Sequence, residues 1–216
     1  MPSKAIRGWV EADHSGRVFG GGVGPRGSSL KERLNFTVHK LRSQSERLDH
    51  ATSKIRKHDQ RLFQKCVEAQ LSKDRARAIM YANECAELRR ILKTTLSCHL
   101  ALEHVTLRLE TVKDFGEVAA LMRPVASIIS TVKGRLSGIM PEVSYELGEI
   151  FQDLDELACD FGETVASEPG GFSSEEAESI IHEANAVAEQ RVREKFPDLP
   201  EKPVPVRGLE PAGSEA

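Results

Sequence analysis

Residues 33–62 read RLNFTVHKLRSQSERLDHATSKIRKHDQRL. A basic residue followed by an apolar one recurs at every seventh position: Arg33-Leu34, Lys40-Leu41, Arg47-Leu48, Lys54-Ile55 and Arg61-Leu62. With about 3.6 residues per helical turn, this repeat keeps Leu34, Leu41, Leu48, Ile55 and Leu62 near one line, provided the helix supercoils slightly around a partner. The cations fall roughly 100° to one side, at the edge of that contact. The apolar line calls for another helix, and the basic stripe for something anionic.

Charge along the chain sharpens the second demand. Residues 1–80 carry a net +9, residues 81–139 a net +2, and residues 140–216 a net −14, so a total of −3 hides a basic front and an acidic back. Such asymmetry points to an anionic surface partner or to internal pairing.

Composition bounds the answer. The 216 residues are 39% apolar and 29% charged, an ordinary soluble balance for one domain with tails. Aromatics at 5% favour thin helix-on-helix seams over a thick core. Apolar runs such as Val125–Ile129 are far shorter than the ~20 residues that span a bilayer, and Met1–Gly16 lacks the apolar stretch of a signal peptide. Cys66, Cys85, Cys98 and Cys159 are isolated, which suits reduced thiols in a cytoplasm.

The organisation follows from breakers and periodicity. Residues 1–29, with seven glycines, read as a flexible arm. Its Gly20–Gly27 run lacks the Gly-Lys-Ser/Thr ending of a phosphate-cradling loop. A helical core is expected over 30–162: a hairpin over 30–113, then third and fourth helices over 114–162. The first helix should run from about Leu30 to Leu71, roughly 63 Å at 1.5 Å per residue. Ser72-Lys73-Asp74 forms the turn, with Asp74 as the cap of a second helix of similar length, so the two must fold back on each other. Small residues Ala76, Ala78, Ala82 and Ala86 near the turn, then Leu88, Leu92, Leu96, Leu102 and Leu109, should face Val38, Ser45, Thr52, Asp59 and Cys66 of the first helix.

Asp114-Phe115-Gly116-Glu117 resembles a capping box for a Val/Ile-rich third helix ending near Val132, with Gly134 and Gly138 breaking the chain before Pro141. In the fourth helix, Val143, Leu147, Ile150, Leu154, Leu157 and Phe161 form one face. Glu142, Glu146, Glu149, Asp153, Glu156 and Asp160 repeat the same steps one residue earlier, the charge mirror of the first helix. A linker over 163–173 precedes a fifth helix over 174–195 bearing Ala177, Ile180, Ile181, Ala184, Val187 and Ala188. Residues 196–205, with four prolines, favour an extended strand preorganised for a groove, and 206–216 read as a disordered tail.

Three stretches carry a resemblance: Asp74–Ile91 (DRARAIMYANECAELRRI), Ala101–Gly116 (ALEHVTLRLETVKDFG) and Gly138–Glu142 (GIMPE). In that order, along a hairpin with a basic first helix and an acidic last third, they resemble the archaeal ESCRT-III-like cell-division proteins of the CdvB family, over about residues 28–162. The resemblance implies an all-α, five-helix fold built on a long hairpin. It also implies filament-forming membrane remodelling and scission, as homopolymers or with ESCRT-III-like paralogues, and disassembly by the AAA ATPase CdvC. The segment FPDLPEKPVP looks like the proline-rich motif with which ESCRT-III relatives dock in the groove of that ATPase's MIT domain. By that likeness Leu199, Pro200, Pro203 and Pro205 fill the groove, with Phe196 and Val204 added. Some CdvB proteins carry, beyond this motif, a winged-helix-like segment that recruits the membrane scaffold CdvA. Here eleven residues follow Pro205, a departure that counts against recruitment by CdvA and sets a paralogue role or another anchor beside it as an equal expectation.

The expected mechanism is a closed-to-open switch without chemistry. The acidic edge of the fourth helix (Glu142, Glu146, Glu149, Asp153, Glu156, Asp160) acts as an autoinhibitory mask over the membrane-binding cations Arg33, Lys40, Arg47, Lys54, Arg56, Lys57 and Arg61. An anionic membrane competes for the same cations at the inner face of the cell, at the division site. No cofactor, metal or catalytic group is expected: no histidines stand at i, i+4 to each other, and the acids lie on charged helix faces. Two rival classes are a basic coiled coil that binds nucleic acid, which the acidic third would repel, and a spectrin-like structural bundle. The expectation is no nucleic-acid partner.

Overall fold

The structure is a computed structural model that describes residues 30–115, 119–160 and 175–199. Its described residues form five helices: α1 (Leu30–Leu71), α2 (Arg75–Phe115), α3 (Ala119–Leu136), α4 (Pro141–Asp160) and α5 (Glu175–Lys195). The arrangement is all-α and ESCRT-III-like, two long helices folded back on each other with three shorter ones laid along them.

The turn between the long helices explains the hairpin. Asp74 N–H donates to Ala69 O and Lys73 N–H to Gln70 O, both at 2.9 Å, closing α1 with a left-handed residue at Lys73 (φ 57°). The Asp74 carboxylate then accepts from Arg77 N–H at 3.1 Å and caps α2. Cys66 Sγ donates to Ala78 O at 3.4 Å, which sets the antiparallel register.

The seam follows the seven-residue repeat. Leu34, Leu41, Leu48 and Ile55 are buried, Leu62 is partly buried, and the intervening Val38, Ser45, Thr52, Asp59 and Cys66 are all buried. Leu88, Leu92, Leu96, Leu102 and Leu109 are buried opposite them. Of the four alanines expected at the close approach, Ala78 and Ala82 are buried, whereas Ala76 and Ala86 are exposed. The buried line runs Ala78, Ala82, Cys85, Leu88 and Leu92, in steps of four and three, and 76 and 86 fall beside it.

The helix junctions differ from the expectation. α2 continues through Asp114 to Phe115, so Asp114 belongs to it and does not cap the third helix; residues 116–118 lie outside the described residues. α3 passes through Gly134 and ends at Leu136, because Leu136 still packs into the core and Arg135 bonds Asn185 Oδ1. Phe161, assigned above to the fourth helix, and the linker over 163–173 also lie outside the described residues, as do the arm over 1–29 and the tail over 206–216.

α3 and α4 complete the main core. Met122, Val125, Ile128, Ile129, Val132 and Leu136 of α3 pack with Val143, Leu147, Ile150, Leu154 and Leu157 of α4 and with the Leu34–Leu48 half of the hairpin. Ala177, Ile180, Ile181 and Ala184 of α5 join the same core. A second, smaller cluster lies further along the hairpin, made of Ile55, Leu88, Ile91, Leu92 and Phe196. The hairpin thus carries α4 against α1 and α5 against α2.

Candidate functional site

The basic stripe of α1 and the acidic edge of α4 meet over part of their length. Lys40 Nζ lies 2.8 Å from Asp153 Oδ2, Arg33 bonds Asp160 through Nη1, and Arg33 Nη2 is 3.4 Å from Glu156 Oε2. Both helices repeat every seven residues and run antiparallel, so each step along one meets a step back along the other. These pairs are partly solvated and lie beside buried apolar lines, with Leu34 and Leu41 on one helix and Leu154 and Leu157 on the other.

The rest of the stripe lies beyond that clasp. Arg47, Lys57 and Arg61 are exposed, and Lys54 and Arg56 are half-buried. Arg61 Nη2 approaches His58 Nδ1 at 3.4 Å on its own helix. Burial, then the neighbouring Arg61, hold His58 below the ordinary histidine pKa. On α4, Glu142 is exposed, and Glu146 and Glu149 are half-buried. The ion pairs between α1 and α4 given above therefore involve the N-terminal part of the stripe.

The fifth helix was expected against the hairpin, and a second clasp, whose residues the sequence reading did not name, joins α5 to α2. Lys93 Nζ contacts Glu189 Oε2 at 2.7 Å, Arg108 pairs with Glu176, and Ser97 Oγ donates to Asn185 Oδ1 at 2.6 Å. The same Asn185 oxygen accepts from Arg135 Nη1 of α3 at 2.9 Å, so one amide ties three helices together. Lys93 holds the Glu189 carboxyl below the usual carboxylate range through that hydrogen bond. The signal was present: Leu88-Arg89, Leu92-Lys93 and Leu96-Ser97 put a polar residue after each seam leucine, and Ala184-Asn185 and Ala188-Glu189 answer at the same step of four.

At the far end of this clasp sits a buried charge. Asp59, 1% exposed, accepts from Arg89 Nε at 3.0 Å and from Nη2 at 3.3 Å. Arg89 Nη1 donates to Pro197 O at 2.7 Å, and its guanidinium lies 5.2 Å from the Phe196 ring centre and 5.8 Å from that of Phe63. Of the residues expected to meet a partner ATPase, Phe196 is buried in the hairpin and Leu199 is half-buried. Pro200, Pro203, Val204 and Pro205 lie outside the described residues.

Among the described residues, no cluster of three or more His, Cys, Asp or Glu side chains could hold a metal ion, and no helix is long and apolar enough to cross a membrane. Burial pushes the Cys85 and Cys98 thiols up to about 12 and raises that of Cys66. The arrangement is one of charged, partly solvated contacts between helices.

No protein-family model matches the chain, and no solved structure does. Curated relatives do. Cell division protein B1 of Sulfolobus acidocaldarius is 47% identical over 174 residues, covering 79% of this chain and 80% of the relative. Cell division protein B of the same organism is 35% identical over 178 residues, covering 81% and 67%. Cell division protein B3 is 28% identical over 116 residues, covering 54% and 68%. With such identity along most of its length, the chain belongs to the cell division protein B (CdvB) family.

Proposed function

We propose that this chain is a filament-forming, ESCRT-III-like protein of archaeal cell division that binds the inner face of the membrane peripherally at the division site and is held closed by its acidic C-terminal third. The observation that carries the reading is the division of the α1 stripe. Arg33 and Lys40 are engaged by acids of α4, while Arg47, Lys57 and Arg61 face solvent. The exposed part can make first contact with anionic headgroups, each basic residue near such a surface contributing ~1 kcal/mol.

Magnitudes decide which part opens. α4 buries Val143, Leu147, Ile150, Leu154 and Leu157 in the main core. At about 1.5–3 kcal/mol for each large apolar side chain, this amounts to on the order of 10 kcal/mol, more than a short stripe can draw from lipid. α5 buries mostly alanines and isoleucines and is held by solvated ion pairs, which add little. The fifth helix and the tail are therefore the detachable element. Their release would bare the α2 flank for a neighbouring subunit, of this chain or of a paralogue, and head-to-tail repetition of that contact makes a filament. The proline-rich segment 196–205 would then dock in the MIT domain of the AAA ATPase CdvC, which extracts subunits.

Flotation with vesicles of seven parts phosphatidylcholine to three parts phosphatidylglycerol tests the membrane step. The wild type should float at low salt and be released by high salt. The triple variant Arg47→Glu, Lys54→Glu, Arg61→Glu should stay at the bottom. A triple variant that floats like the wild type, or binding indifferent to salt, would sink the reading, and a matching gel shift with DNA would favour nucleic acid instead.

A further inference from the structure

α5 covers one side of α2 and leaves an outer face of that helix open. Leu107 on this face is 64% exposed, and Leu100, seven residues before it, is only partly buried against the main core. With Glu103, His104, Arg108 and Thr111 they line a shallow groove of 490 Å3. Glu103, His104 and Thr111 are exposed there, and Arg108 is half-buried. The groove is open with α5 in place, since Arg108 at its edge holds Glu176 at the head of that helix.

The spacing is that of a two-stranded coiled coil. Leu100 and Leu107 repeat at seven, and His104 and Thr111 alternate with them at the same interval. Leucine at one seam position, with polar side chains at the other, suits a pair of helices held in one register. Glu103 and Arg108 flank the seam five residues apart, the separation at which an acid of one parallel strand meets a base of the other. Arg108 keeps Glu176 as well, because a guanidinium has five N–H donors. An antiparallel match of Leu100 to Leu107 would set Glu103 beside the Glu103 of the other strand, and like charges there are unfavourable. Charge therefore selects the parallel arrangement, and the surface that supplies both the matching leucines and the matching charges is this same face of another copy.

We propose that the α2 face from Leu100 to Thr111 is a parallel, two-fold contact between two copies of this chain, which pairs them side by side. This rests on the filament reading above and adds a second kind of contact to it: head-to-tail repetition lengthens a strand, and this face joins one strand to the next. Two leucines a side fall well short of the ~800 Å2 per partner of a stable complex. The contact is therefore weak between free molecules and takes hold where copies are already lined up, because each pair formed raises the effective concentration of the next.

A short bismaleimide tests this in the full chain carrying Cys159→Ser, which removes the exposed native thiol. In a parallel pair Thr111 faces the Thr111 of the other copy, whereas the antiparallel match sets the two 15 residues apart along the helix, roughly 22 Å. Thr111→Cys should therefore give a covalent dimer on the phosphatidylcholine–phosphatidylglycerol vesicles used above, about fivefold or more in excess of its yield in dilute solution. Adding Leu107→Asp should lower that yield about fivefold with Tm unchanged, since the leucine is exposed within one copy. No dimer from Thr111→Cys, or a dimer from His104→Cys alone, overturns the contact. Loss of flotation on Leu107→Asp with no dimer would mean that the bilayer covers the face, and overturns it too. Electron microscopy of the same samples separates the two readings: strands without the covalent dimer leave the filament standing and remove the contact, and dimers without strands do the reverse.

Discussion

Lys40 and Asp153 are joined Nζ to Oδ2 at 2.8 Å, and Arg33, seven residues before the lysine, bonds Asp160, seven residues after the aspartate. Two heptad patterns of opposite charge have been laid antiparallel and in register. The same step places Arg47 level with Glu146, where the arginine is exposed.

Reversing the Lys40–Asp153 pair should reveal a small coupling. Lys40→Glu and Asp153→Lys should each destabilise the chain slightly, and the double variant should recover about 0.5–1 kcal/mol relative to their sum, as for a partly solvated pair. Urea unfolding of the four proteins measures it, and full additivity would show that the contact contributes nothing in solution.

The buried pair should behave differently. Asp59→Ala leaves the Arg89 guanidinium, 13% exposed, without its carboxylate, and should lower stability by about 3–5 kcal/mol. Asp49→Ala, on the exposed face of the same helix, should stay within about 0.5 kcal/mol. Equal effects would place Asp59 in solvent.

Thiol chemistry reports the packing directly. Cys159 is exposed, whereas Cys66, Cys85 and Cys98 are buried, the last two with thiols pushed up to about 12. A soluble disulfide reagent should modify one thiol quickly in the native protein and the other three only on unfolding. Fast reaction of Cys85 would mean that the hairpin opens near Asp59.

Acid should loosen the fold through His58 before it touches Glu189. Burial lowers the His58 pKa, so its neutral form is favoured when folded; that contribution is present above the ordinary value of 6.5 and is lost as pH falls through the lowered one. Lys93 lowers the Glu189 pKa, so that contribution is present above the usual carboxylate value of 4.5 and is lost only as pH drops through the folded value. Tm should therefore decline from pH 7.5 to 5.5, and His58→Gln should flatten the decline; an unchanged slope would remove His58 from the account.

Much of the fold was legible because the seam of a long hairpin is a one-dimensional pattern. Leu34 through Leu62 and Leu88 through Leu109 are periodic, and Asp74 stands where a cap must be. The third helix was less legible at its ends: Asp114 and Gly134 carry local signals for a cap and a break, but packing of Leu136 and the continuation of α2 override them. The second clasp was written as Leu88-Arg89, Leu92-Lys93 and Leu96-Ser97, yet nothing local says which helix answers it.

By itself, then, the sequence determined two long helices that must pair, a basic front and an acidic back, since periodicity and charge are properties of neighbours along the chain. Tertiary structure decided which of the expected cations the α4 acids reach, Arg33 and Lys40, set α5 onto Lys93 and Arg108, and turned Phe196 inward. The reason is physical: which helix covers which flank depends on how apolar faces from distant segments share one core, and a buried charge such as Asp59 selects its partner only after that core has formed.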